Sequence, residues 1–562
     1  MKKILSLAIL TILIASCNTK KEHKVKGLIA DKAMVVSARV EASKIGSDIL
    51  EKGGNAYDAM VATQLALAVA YPVAGNIGGG GFMVYRENDG KTGALDFREK
   101  APLTASRDMY LDKEGNVIPG KSNFGVHSVG VPGSIAGIFE VYNKFGSLPF
   151  KELIQPAIDL ARNGLQVTKK QASAFNGTRK RFEKANNYKI LFDKEWKEGD
   201  LLQQEELAQT LERIRDHGQD GFYKGKTAKL FVDYVQELGG IISLEDLAKY
   251  KAVWRKPIEF NYKNHKVISM TLPASGGICL AQILKSIEPF DLSKIKHNST
   301  AYVQLLTEAE RRSYADRAHF LGDIDFVNVP TDSLIANKYI QKRMASFSWD
   351  KATKSADVSH GAILGNESDQ TTHYSIVDQF GNAVSVTTTL NTGYGSKVLV
   401  KGAGFFLNNE MDDFSAKPGV PNVYGLLGSE ANAIAPEKRM LSSMTPTIVE
   451  ENGKLKMVVG TPGGSTIITS VLQNIMNVVD YNMGMQESVN KPRFHHQWMP
   501  DYIRMEPNGF DSITKVTLNK LGYKIVERNS LIIGRVDAIL VLPNGKLEGG
   551  ADPRGDDAAV GF

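Results

Sequence analysis

Cysteine is almost missing from this chain: 562 residues hold two, Cys17 and Cys279. Cys17 falls in an amino-terminal segment that reads as a targeting signal, so the remaining body has one thiol and no intrachain disulfide is expected. Cys279 follows Gly276-Gly277 in an apolar run and reads as a buried, inert thiol. After the first 14 residues no apolar stretch reaches membrane length, so no later segment is expected to span a bilayer. A basic surface is missing too. Of the formal net charge of +6, the first 26 residues supply six lysines (Lys2, Lys3, Lys20, Lys21, Lys24, Lys26) against Glu22, leaving a body close to neutral. That argues against a nucleic-acid partner. No internal repeat is visible.

The remaining composition, 42% apolar and 23% charged, is that of a globular protein, and the length calls for several domains or one large layered unit. Met1-Lys2-Lys3 followed by apolar Ile4–Ile14 has the make-up of a signal segment too short to cross a bilayer. Ile14-Ala15-Ser16-Cys17 resembles the bacterial lipoprotein processing box, which implies lipidation at Cys17 and a place in the periplasm or cell envelope. Asn18–Lys26 is polar and basic and reads as a tether, with the folded body beginning at residue 35.

Within the body, Val35–Tyr71 reads as two helices, the first ended by Gly53-Gly54 and the second capped by Asn55 and buried nearly all round. Four glycines, Gly78–Gly81, lack a following Gly-Lys-Ser/Thr and lead into strand-like Phe82–Tyr85, which excludes a phosphate loop and points to close backbone packing. A helix is expected from Ser134. Residues 150–350 are mostly helical by period, for example Leu153–Asn163, Gln204–His217, Lys226–Leu238, Ser243–Lys249 and Ala301–Phe320. The charges of the last (Glu308, Glu310, Arg311, Arg312, Asp316, Arg317) read as a solvated, ion-paired face. Lys351–Ser368 is small and polar and reads as an exposed linker.

After Thr371 the period becomes two. His373–Asp378 and Ala383–Leu390 are strands of a hairpin centred near residue 380, which sets Thr389 opposite Thr371. Cleavage of the chain between Gln370 and Thr371 would expose an amino-terminal threonine. Such a residue carries a hydroxyl nucleophile and, on the adjacent carbon, an amine able to act as its base. Met411–Gly428, rich in proline and glycine, reads as an irregular, mobile loop. Met457–Gly460, then Thr461-Pro-Gly463-Gly464 and a helix, would place the N–H groups of Gly463 and Gly464 at a helix start, suited to an oxyanion. The adjacent His495-His496 would point to opposite faces of a strand and read as structural.

Several stretches, taken together and in order, identify the chain as resembling the γ-glutamyltranspeptidases, amino-terminal-nucleophile hydrolases. They are Gly75-Asn-Ile-Gly-Gly-Gly-Gly-Phe82, Asp96-Phe-Arg98-Glu99, Gln370-Thr371-Thr-His-Tyr-Ser375, Leu390-Asn391-Thr392, Asn408–Ser415, Pro418–Tyr424, Leu441-Ser442-Ser443-Met444 and Gly460–Ser465. The resemblance covers nearly all of Val35–Phe562. It implies an α+β fold, a four-layer αββα sandwich, and a precursor that cleaves itself into residues 35–370 and 371–562, which remain together as large and small subunits. Thr371 would serve the cleavage and then take the γ-glutamyl group of glutathione or another γ-glutamyl compound, passing it to water, an amino acid or a dipeptide. Thr389 would support the nucleophile, and Gly463 and Gly464 would form the oxyanion hole. Arg98, helped by Ser442 and Ser443, would grip the substrate α-carboxylate. Asn391, Glu410 and Asp413 would hold its α-ammonium group, and Tyr424 would close the pocket. No metal or cofactor is implied. Two readings compete: a glutaryl β-lactam acylase of the same superfamily, and a non-catalytic lipoprotein that binds γ-glutamyl compounds. At residue level, Arg98 could instead bridge Asp96 or Glu99 at the surface, and register decides between Asp412 and Asp413.

Overall fold

The structure, a computed structural model, describes residues 27–358, 371–527 and 532–562. Both Cys17 and Gln370 lie outside the described residues, as does most of the expected linker. What is described of that linker is less exposed than expected, because Ser355 and Val358 are buried and the Ser355 carbonyl accepts from Trp498 Nε1.

Two antiparallel seven-stranded sheets lie face to face. One runs Ala558–Gly561, Met34–Ser37, Thr372–Val377, Ala383–Thr389, Gly80–Arg86, Thr92–Asp96, Val253–Arg255. The other runs Ile29–Ala30, Leu547–Gly550, Asp537–Val541, Lys454–Gly460, Thr447–Glu451, His265–Ser269, Ile258–Tyr262. Helices Val40–Glu51 and Ala56–Ala70 cover the outer face of the first sheet. Helices Gly276–Ile287 and Ile467–Val479 cover the outer face of the second, completing the αββα sandwich, and Thr300–Phe320 packs on Gly276–Ile287.

The central hairpin explains why its sequence alternates although both faces are buried. Tyr374 points out to the helices, where its hydroxyl donates to Gln64 Oε1. Ser375 points in, and its hydroxyl donates to the carbonyl of Asp537 on the opposing sheet. The expected register is the observed one: Thr372 pairs with Thr388 and Val377 with Ala383, so the next pair outward is Thr371 with Thr389. Asn55 caps the buried helix Ala56–Ala70 as expected, in a reciprocal capping box with Asp58.

Four expectations need correction. Met34–Ser37 is a strand rather than part of a helix, since it lies beside the central hairpin and its ladder supplies the hydrogen bonds. The body begins before residue 35, because Ile29–Ala30 pairs with the strand Leu547–Gly550. Residues 150–350 are mostly helical as expected, but five strands interrupt them: the short pair Leu165–Gln166 and Leu201–Leu202, and Val253–Arg255, Ile258–Tyr262 and His265–Ser269. The charges of the helix Thr300–Phe320 are buried rather than solvated, and they meet partners from distant segments: Arg311 bonds Asp501, and Arg343 bonds Asp316.

The glycine run lets backbones meet. A Cβ on Gly79 would sit 2.0 Å from the Thr389 carbonyl oxygen, and one on Gly81 would sit 2.4 Å from that of Thr387. Gly79→Ala is therefore expected to lower unfolding stability by about 3 kcal/mol through backbone displacement at the hairpin, and thermal denaturation of the purified variant measures it.

Candidate active site

One cavity is lined by Arg98, Thr371, Thr389, Asn391, Glu410, Asp413, Tyr424, Ser442, Ser443 and Gly464. These residues come from the end of strand Thr92–Asp96, both strands of the central hairpin, the segment 408–444 and the turn after Lys454–Gly460. Of the expected site residues within the described chain, Gly463 alone does not line it, although it precedes Gly464 in the same turn. Gly463 and Gly464 have φ of 140° and 55°, which glycine adopts without strain. The Tyr424 ring lies where a Gly464 side chain would be, with ring carbons 2.5 Å and 2.6 Å from that Cβ position.

Thr371 is 3% exposed. Across the register, Thr389 Oγ1 accepts from the backbone N–H of Asn391 at 2.6 Å. Behind the pair, His373 bonds Thr387 Oγ1 and Ser375 Oγ, and burial lowers its imidazole to about 3, so it stays neutral.

Arg98 is buried and makes no surface bridge. Its Nη1 donates to Glu410, its Nη2 to Asp413 Oδ2 at 2.6 Å and its Nε to the Met440 carbonyl at 3.3 Å. Asp96 serves the Arg98 backbone N–H instead, at 3.0 Å, while its carboxylate pairs with Arg255 and Arg439. The register question is answered by the short turn Glu410–Asp413, which sends Asp413 to Arg98 and Asp412 to Ser122 Oγ and the Val423 N–H. Glu99 adds a third carboxyl, 3.6 Å from Arg98 Nη1, with neither oxygen hydrogen-bonded. Burial pushes Glu99 up to about 7 and raises Glu410 and Asp413 as well, against the pull of Arg98. Two of these carboxyls, Glu410 and Asp413, line the cavity beside the guanidinium.

The Pro418–Tyr424 segment is irregular, as expected, and its last residue, Tyr424, lines the cavity. Tyr424 Oη donates to the Asn391 carbonyl at 2.5 Å, and Asn422 Nδ2 donates to Asp413 Oδ1 at 3.0 Å. Ser442 is fixed through its backbone, its N–H donating to Pro273 and its carbonyl accepting from Ser275.

Two residues that sequence reasoning missed support this site from behind. Arg317 Nη2 donates to Ser443 Oγ at 3.0 Å; its helix period reads as a surface, and no local pattern reveals that the segments of Ser275 and Ser443 meet it. Lys397 is 2% exposed, and its amine donates to Thr392 Oγ1 at 2.8 Å and to the Gly395 carbonyl at 2.5 Å. Thr392 in turn bonds Asn409 Oδ1, which ties the Asn391 segment to the Glu410 segment. Burial, aided by nearby Arg181, lowers the Lys397 amine to about 6. The unfolded chain therefore binds a proton between about pH 6 and pH 10 that the folded protein does not. Stability from this residue must rise with pH across that window. In denaturant titrations at pH 6 and pH 9, wild type is expected to gain on Lys397→Met by about 1–3 kcal/mol at the higher pH.

His495 bonds Thr469 and Gln497, while His496 bonds Asp501 and the Trp498 N–H, so each ring has its own structural partners. Among the described residues no group of three or more His, Cys, Asp or Glu is placed to hold a metal, and no helix is long and apolar enough to cross a membrane.

Residues 42–562 match the family model described as Gamma-glutamyltranspeptidase. The glutathione hydrolase proenzyme of Escherichia coli strain K12 is 46% identical over 538 residues, covering 95% of this chain and 92% of that one. The acylase ACY 1 proenzyme of Pseudomonas sp. strain SE83 is 33% identical over 538 residues, covering 94% and 93%. Among solved structures, the gamma-glutamyltranspeptidase of Helicobacter pylori aligns at 44% identity and TM-score 0.56, over 58% of this chain and 94% of that one. The cephalosporin acylase of Bacillus halodurans, at 24% identity, shares the fold with TM-score 0.85 over 98% and 99%. With its hairpin, cavity and near full-length matches, the chain belongs to the gamma-glutamyltranspeptidase family.

Proposed function

We propose that this protein is a γ-glutamyltransferase and glutathione hydrolase, made as a precursor that cleaves itself between Gln370 and Thr371. In the cleavage, the Thr371 hydroxyl attacks the Gln370 carbonyl carbon and the peptide nitrogen leaves as the new Thr371 α-amine. Water then opens the resulting ester and gives Gln370 a free carboxylate. The two products, ending at Gln370 and beginning at Thr371, stay together because the strands of each sheet come from both. In turnover, the Thr371 hydroxyl attacks the γ-carbonyl of the donor, its α-amine takes the hydroxyl proton, and that proton passes to the departing amine. Water, an amino acid or a dipeptide then attacks the γ-glutamyl ester and restores the hydroxyl. Gly463 and Gly464 stabilise the oxyanion in both halves, and Thr389 orients the nucleophile.

The observation that carries this reading is a buried knot of opposite charges in the cavity that Thr371 lines. Arg98, Ser442 and Ser443 suit an α-carboxylate, and Glu410, Asp413 and Asn391 suit an α-ammonium. A glutaryl group has no ammonium to offer these carboxylates, which disfavours the acylase reading although an acylase is among the relatives. The purified protein is expected to release p-nitroaniline from γ-glutamyl-p-nitroanilide and to leave glutaryl-p-nitroanilide untouched; the reverse preference would assign it to the acylases. Lipidation at Cys17, with a site in the bacterial periplasm or envelope, belongs to the same proposal and rests on the sequence motif. Mass spectrometry of the amino-terminal peptide from native membranes tests it.

A further inference from the structure

We propose that Arg317 is a positioning residue that holds Ser443 as a hydrogen-bond donor toward the substrate α-carboxylate and places a second positive charge behind it. The inference rests on the reading of Ser442 and Ser443 given above and concerns what makes them donors. Arg317 lies on the helix Thr300–Phe320 and is 3% exposed. The other two arginines in the middle of that helix have carboxylate partners, Arg311 with Asp501 and Arg312 with Glu308. Arg317 differs: among the described residues its side chain bonds hydroxyls, donating from Nε to Ser275 Oγ at 2.9 Å and from Nη2 to Ser443 Oγ at 3.0 Å.

The consequence follows from counting protons. A serine hydroxyl has one proton to give, whereas a guanidinium only donates. Ser443 Oγ accepts from Arg317, so its own proton must point elsewhere, and no acceptor among the described residues takes it. Ser443 lines the cavity with Arg98 and Thr371, which leaves that cavity for the proton. Ser442 is set the same way, its Oγ accepting from the Met444 N–H at 3.1 Å. Ser275, the second hydroxyl that Arg317 reaches, passes its proton to the Ser442 carbonyl at 2.7 Å and so fixes the backbone between the pair. Two hydroxyl donors beside the Arg98 fork fit the lone pairs of one carboxylate. Arg317 does not line the Thr371 cavity itself, so it acts through Ser443 and through its charge.

The test compares two anilides, γ-glutamyl-p-nitroanilide and 4-aminobutanoyl-p-nitroanilide, which differ by the α-carboxylate. Where the second is turned over too slowly, its inhibition constant replaces kcat/KM. Arg317→Gln is expected to raise KM for the γ-glutamyl anilide about tenfold or more with little change in kcat. The aminobutanoyl compound should change by less than about twofold. Ser443→Ala should also lose selectively on the γ-glutamyl anilide, and the double variant should fall clearly short of the product of the two single losses, because both substitutions weaken the Ser443 interaction. Equal losses on both anilides, or losses that multiply in the double variant, would overturn the proposal. If Arg317→Gln does not yield folded, cleaved protein, Arg317→Lys serves: it keeps the charge without the two-pronged donation, and a smaller loss confined to the γ-glutamyl anilide is expected, with equal loss on both again overturning it. Wild type inactive on the γ-glutamyl anilide would instead remove the proposed function on which this rests.

Discussion

Thr371→Ala is expected to run on a denaturing gel as one full-length chain where the wild type gives two, and to lose activity on γ-glutamyl anilides by about 10⁴-fold or more. Both effects have one cause. In the proposed chemistry the same hydroxyl opens the chain and later takes the acyl group, and the α-amine that serves as its base exists only after the first event. Alanine removes the hydroxyl and so prevents formation of the amine. The fold should survive, because the hairpin is held by its own ladder and by partners on both faces, such as Tyr374 with Gln64 and Ser375 with the Asp537 carbonyl. A circular-dichroism melt within a few degrees of wild type would confirm that the loss is chemical. Amino-terminal sequencing of the smaller wild-type fragment completes the test, and any start other than Thr371 would refute the site of cleavage.

Arg98→Gln carries the second large effect, a fall in kcat/KM of roughly 10³-fold for γ-glutamyl donors. The guanidinium is buried and bonded to Glu410 and Asp413, so its removal leaves these acids without their cation and, in the proposed binding mode, takes away the grip on the α-carboxylate. Burial already raises both carboxyls, and Arg98 is the main influence that pulls them down. Without it they hold their protons to higher pH and no longer offer a charge to the α-ammonium group. The acid limb of the kcat/KM profile should therefore move to higher pH in Arg98→Gln. A variant whose rate falls by the same factor at every pH would show that Arg98 does not set the ionisation of these acids.

The central hairpin and the active-site motifs were legible in the chain because they depend on local rules. Strict alternation from His373 to Leu390 about Gly381 determines register, and register alone puts Thr389 beside Thr371. Glycines 78–81, followed by a strand, signal backbone contact. The cap at Asn55 and the turn after Gly460 are likewise local. The resemblance named Arg98, Glu410 and Asp413, but their joint burial depends on two segments more than 300 residues apart in sequence.

What the sequence by itself determined, then, was the hairpin register that sets Thr389 beside Thr371 and the residue types that meet in the cavity. Only the tertiary structure decided which groups stand behind them. The period of Thr300–Phe320 shows a helix with charges but not that neighbouring helices and distant loops enclose it, so Arg317 reads as surface although it donates to Ser443. Of the strands at 253–269, Val253–Arg255 was hidden because its partner, Thr92–Asp96, lies far along the chain, whereas Ile258–Tyr262 and His265–Ser269 pair with each other across Lys263-Asn264, a local alternating hairpin that the helical reading passed over. The choice of Asp413 over Asp412 was likewise left to the folded protein, because adjacent carboxylates in one turn differ in direction only after that turn is packed against Arg98.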